Sequence, residues 1–319
     1  MLAVGALVSG CAASLALMAL DKWFGGKDTP NSYKVYLDGY EMGTTPSASG
    51  AVSLRGAEEG DYLLTVARTP DMRRGIHTTL HVPATRIVNL KDLNPFEGGV
   101  ISGTVRRDGT TGPLVGNVRV VAILNGASLL AGGSGPLTIP QPLGTTVETM
   151  MGYTDASGNY KLGPAKYGDW LVVSVLGGYA ADVQFVHLSS GVDATAALIL
   201  APLDVANTGS VRGTVTSRTG AALAGALLTA KLGSALSPVI PDATRARIAT
   251  ASGLTMPAGD WFQWQTLTAL ASAAGQYQVD LPVGSQTLQA FKFQWQANDQ
   301  PVNVTVGGGV TLDFSLVGG

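Results

Sequence analysis

Along the chain, apolar side chains either alternate with polar ones or run on without a break, and glycine-rich turns separate the runs. Tyr33-Lys34-Val35-Tyr36-Leu37 alternates and stops at Asp38-Gly39, the dipeptide that two-residue hairpins favour. Short apolar runs follow at Val52-Ser53-Leu54 and Tyr62–Val66. Val118–Leu124 (VRVVAIL) and Leu171–Leu176 are nearly continuous apolar runs. From Gln286 to Gln296, period two places Phe291, Phe293 and Trp295 on one face, and Lys292, Gln294 and Gln296 on the other, the pattern of a half-buried antiparallel strand. Met1–Leu20 differs in kind: it has no charge and is mostly apolar, with Asp21 and Lys22 closing it. About 18 apolar residues suffice for a membrane-crossing helix. The pattern predicts an all-β protein carrying one N-terminal apolar helix.

Two stretches repeat each other at a spacing of roughly 110 residues. Val100–Val105 (VISGTV) matches Ser210–Val215 (SVRGTV), and VRVVAIL matches Ala226–Leu232 (ALLTAKL). Asp155-Ala156-Ser157-Gly158-Asn159-Tyr160 matches Ser272-Ala273-Ala274-Gly275-Gln276-Tyr277. Ala221–Leu232 alone also reads as a helix; its β-branched counterpart favours a strand. The spacing is too long for a solenoid and suits tandem antiparallel β-sandwich domains. Each copy carries an apolar insertion at the same place, about 125–152 and 233–265; loops of that length are usually functional when not disordered. The expected organisation is a signal or anchor segment and linker at 1–30, a small sandwich at 31–94, and two larger sandwiches at 95–204 and 205–319.

Val35–Gly39, Gly43-Thr44-Thr45-Pro46 and Gly60-Asp61-Tyr62 together resemble a PEGA-type module, a small β-sandwich common in bacterial envelope proteins. The repeated stretches resemble the carboxypeptidase-regulatory-like family, a transthyretin-like, immunoglobulin-like sandwich. Gly103, Gly116, Asp155, Gly158, Tyr160 and Gly168 carry that resemblance in the first copy; Gly213, Gly225, Gly275, Tyr277 and Gly284 carry it in the second. Ser272 stands where the first copy has Asp155. Within the leader, Leu7-Val8-Ser9-Gly10-Cys11 resembles a bacterial lipobox, which would make Cys11 the lipidated residue. A lipoprotein anchor, an uncleaved membrane helix and a cleaved signal all remain open, and each places the rest of the chain outside the cytoplasm. Lys22 and Lys27 just beyond the apolar run pull weakly the other way.

Composition narrows the function. A net charge of -2 and 13% charged residues exclude the basic face that nucleic-acid binding needs. A hydrophobic content of 45% excludes general disorder. The single cysteine excludes an internal disulfide framework and a cysteine-rich zinc site. His77 and His81 lie four apart in a β-like context, so they are roughly 13 Å apart and cannot share an ion. His187 is isolated, and Glu58, Glu59 and Asp61 read as a solvated turn. Asp155, Ser157 and Asn159 supply too few oxygens for calcium and read as a tight turn. No nucleophile elbow or phosphate-binding loop occurs. The reading is therefore non-enzymatic and cofactor-free: an envelope-anchored scaffold, spacer or assembly subunit. Its expected partners are the membrane, through the N-terminus, and further copies or other envelope proteins. Residues 111–319 hold only twenty charged side chains, about one in ten against the usual quarter, which permits association. The alternative is a carbohydrate-binding surface protein that stacks sugars on Trp261, Trp264 or Trp295, against the simpler reading of these rings as core.

Overall fold

The computed structural model describes residues 32–318 except 48–49, 56, 91–92, 108, 127–136, 139–147, 177–178, 181, 203–207, 237–261 and 296–297. The leader, its expected helix and Cys11 lie outside the described residues. Among those described, no helix is long and apolar enough to cross a membrane. The architecture is all-β, built of several mainly antiparallel sheets.

The first module pairs Tyr33–Leu37 with Tyr40–Glu41 and with Gly60–Arg68, then continues through Arg74–Val82 to Phe96–Glu97. A two-stranded sheet, Ala51–Ser53 with Ile87–Asn89, accompanies it. Asp38 and Gly39 both adopt positive φ, 45° and 78°, as the two-residue hairpin predicted from the sequence demands. Tyr33, Val35 and Leu37 point into the core with Val52, Leu64 and Val66, while Lys34 and Tyr36 point away.

The two longer modules share one topology. In the second, Thr149–Tyr153, Arg119–Leu124, Gly168–Val175 and Asp182–Leu188 form one sheet, in that order. In the third, Phe262–Leu270, Leu227–Leu236, Gly284–Phe291 and Asn298–Val304 do the same. The opposing sheets are built on Gly99–Arg107 and Thr208–Ser217. Each of these takes an antiparallel neighbour, Asn159–Ala165 or Gln276–Pro282. On its other side the module's last strand returns parallel to its first: Leu198–Pro202 beside Gly99–Arg107, and Phe314–Leu316 beside Thr208–Ser217.

The repeat extends to single bonds. Tyr160 Oη donates to the Ala196 carbonyl at 2.7 Å, and Tyr277 Oη donates to the Leu312 carbonyl at 2.6 Å. A Cβ on Gly103 or Gly213 would sit 1.8 or 2.0 Å from those same carbonyl oxygens, so glycine is required at both. Gly158 and Gly275 turn at φ 73° in each copy. Asp155 Oδ1 accepts the amides of Ser157 and Asn159 at 2.8 and 2.9 Å. Ser272 Oγ accepts only that of Gln276, at 3.1 Å, so the second turn loses part of the first one's bonding.

The strand reading of Ala221–Leu232 holds from Leu227 onward, where Leu227–Leu236 is strand. Three other sequence expectations need correction. The structural counterpart of Gly225 (φ 66°) is Asn117 (φ 63°), not Gly116: Asn117 N bonds Thr154 O, and Gly225 N bonds the equivalent Ala271 O. The aromatic face expected from Phe291 through Trp295 does not form. The strand ends at Phe291, and Gln294 takes φ 67°, which breaks the alternation. The expected insertions are also shorter, because Thr149–Tyr153, Leu227–Leu236 and Phe262–Leu270 are strands.

Candidate functional site

The side chains with the most chemistry gather where the three modules meet. The Asp38-Gly39 hairpin tip of the first module presses on the second. A Cβ on Gly39 would lie 2.6 Å from the Met151 carbonyl carbon, so glycine there serves both the turn and the approach. Asp38 accepts the Leu63 amide at 2.9 Å. Burial pushes its carboxyl up to about 6, against the pull of that bond and of the Arg119 charge. Arg119 opens a strand of the second module with only 3% of its surface exposed. Burial depresses its pKa, and the facing Tyr153 and Asp38 partly restore it. Tyr153 Oη donates to Thr268 Oγ1 of the third module at 3.3 Å.

Other groups hold the same seams. His77 Nε2 lies 2.6 Å from the Thr149 carbonyl of the second module, and Nδ1 lies 3.0 Å from Thr65 Oγ1. Burial lowers its pKa to about 4, which keeps the ring neutral near pH 7. Arg73 pairs with Asp193 at 2.8 Å, and Asp193 also accepts the Val100 amide. Toward the third module, Tyr40 Oη donates to the Gly225 carbonyl at 2.7 Å, and its ring meets Phe291 edge-on at 5.6 Å. Leu137–Thr138, from within the second module, adds a parallel strand beside Phe262–Gln263 of the third. A cleft of about 900 Å³ opens at this junction, lined by Tyr36, Glu41, Lys161 and Lys292 among others.

Of the residues singled out in the sequence, Cys11 and Trp261 lie outside the described set. Trp264 is in the strand Phe262–Leu270, its backbone paired with Leu236; its side chain is not among those described. Trp295 is partly buried, packs against the third module's core and bridges to Gly318. His77 and His81 are on one strand, as expected, and take separate roles: His81 is exposed and faces Asp61 at 2.9 Å. Among the described residues no three acids, histidines or cysteines group to hold an ion. Sequence reasoning missed Asp38, Arg119 and His77 as junction residues. The one available signal was Arg119, a lone charge inside VRVVAIL.

No family model matches the sequence, and no curated protein does. Solved structures with some likeness include a minor pilin of Streptococcus agalactiae, at 12% identity over 70% of this chain and 97% of that one, with a TM-score of 0.24. The shaft pilin of Lactobacillus rhamnosus GG gives 10% identity over 69% and 98%, TM-score 0.25. A chlorocatechol 1,2-dioxygenase from Pseudomonas putida gives 16% over 36% and 62%, TM-score 0.23. Structural subunits and an enzyme both stand in this group, and scores this low carry no functional argument.

Proposed function

We propose that the chain is a non-enzymatic, extracytoplasmic scaffold or assembly subunit of the cell envelope, built of β-sandwich modules and held at the membrane by its N-terminal segment. The observation that carries this reading is the interlocking of the modules. His77, Tyr40 and the Arg73–Asp193 pair each bond one module to another, and Asp38 of the first module lies within the field of Arg119 in the second, so the charged and aromatic groups of the junction do a structural task. The PEGA-like and carboxypeptidase-regulatory-like assignments of the modules belong to the same proposal. Fractionation of cells expressing the tagged full chain tests it, with protease added outside intact cells or spheroplasts. The protein should sediment with the envelope and be digested. Removing residues 1–30 should leave it unattached, and Cys11→Ser should release it if the anchor is a lipid. A full-length protein that stays soluble in the cytoplasm overturns the proposal.

A further inference from the structure

We propose that a second cleft, between the first and third modules, binds a small organic cation with an apolar body, its charged head lying at the Glu58 carboxylate. The site is independent of the scaffold reading. The cleft holds about 340 Å³, within the range of small-molecule sites. One wall is the outer face of the third module's sheet, where Leu227 and Phe291 are cross-strand partners and Thr229 faces Gln289. The other wall is the first module, through Leu37, Met42 and Tyr62. The lining is thus mixed: an apolar and aromatic part at Leu227, Phe291, Tyr40 and Tyr62, with polar and charged groups beside it, and Tyr40 set edge-on to Phe291.

The charged groups have the opposite bias to that of an anion site. Glu58 and Asp61 are exposed where they line the cleft. Asp61 also faces His81. Lys231 is the sole lysine among the described lining residues, and its ammonium already faces Asp299 at 3.7 Å. Asp38 faces the buried Arg119. Among the described residues, Glu58 is met across the cleft only by a long neutral bond from the Gln289 amide, at 3.3 Å. A ligand ammonium would replace that amide with a charge-assisted bond. The aromatic rings favour a cation further, whereas an anion would meet two carboxylates.

Calorimetric titration of the full chain tests the site with 2-phenylethylammonium, alongside 2-phenylethanol and 3-phenylpropionate. The cation should bind saturably, about tenfold more tightly than the alcohol, and the carboxylate should not bind. Phe291→Ala should weaken cation and alcohol alike. Glu58→Gln, on an exposed side chain, should remove the preference for the cation and leave the alcohol unchanged. Equal binding of all three probes, preference for the carboxylate, or no saturation by about 10 mM cation each overturns the proposal. So does a cation preference that survives Glu58→Gln.

Discussion

The second and third modules have one topology and opposite surroundings. In the second, both faces of the four-stranded sheet are covered. Val120, Ala122 and Val172 face the sandwich core, and Val121, Ile123, Leu171 and Val173 on the reverse face are also buried. The residue after Asn125 turns back over that reverse face, where a Cβ on Gly126 would lie 2.6 Å from the Leu171 Cβ. In the third module, the positions matching Val121, Ile123, Leu171 and Val173 are Thr229, Lys231, Thr287 and Gln289. These are half-buried or exposed. The two modules therefore share strand topology while one face is aliphatic in the second and polar in the third. Fold and burial are separable properties of the repeat.

The largest expected effect comes from exchanging that face. Val173→Gln should destabilise the protein by about 3 kcal/mol, because an amide is buried without partners. Gln289→Val at the matching place should change stability by less than about 0.5 kcal/mol. Chemical denaturation of both variants checks this, and equal effects would erase the distinction. Next comes Gly39→Ala, which meets both a positive φ and the Met151 backbone. A loss of about 2 kcal/mol is expected, accompanied by faster proteolysis between the first two modules. Tyr160→Phe and Tyr277→Phe act on what the two modules have in common. Each should cost about 1 kcal/mol, measured by the same denaturation. Smallest is Asp155→Ser, expected at about 0.5 kcal/mol, since Ser272 already serves in the matching turn.

Acid response sharpens the contrast between the first seam and the repeats. The His77 pKa is lowered to about 4 from 6.5, so its contribution is present above pH 6.5 and is lost as pH falls toward 4. Asp38 is raised to about 6 from 3.8, so its contribution is full below pH 3.8 and lost as pH rises through 6. The two oppose each other between pH 4 and 6. Asp38→Asn should make the unfolding temperature fall more steeply with acid across that window than in the parent. His77→Gln should make it fall less steeply. Parallel pH curves for parent and variants would refute the assignment.

Much of this was legible in the chain. VRVVAIL and ALLTAKL were legible as matching strands of a repeat; the difference in their cover, which follows the more apolar run of the first, comes from the structure. The Asp38-Gly39 turn and the paired Gly103/Gly213 and Tyr160/Tyr277 positions were legible for the same local reasons. The junction was not. Asp38 reads as an ordinary turn residue and His77 as an ordinary strand residue until the modules are brought together, and no periodicity encodes a contact between residues 72 positions apart. The aromatic face ending at Trp295 failed because a residue with positive φ interrupts the alternation, and Gln294 gives no local warning of it.

The parallel return of each long module's last strand beside its first has a mechanical corollary. The chain enters at the start of one strand and leaves at the far end of its neighbour. Tension between the ends therefore loads the hydrogen bonds of that pair together, in shear, instead of peeling them one by one. Resistance of these two modules to extension is then set by the rate of rupture of that strand pair.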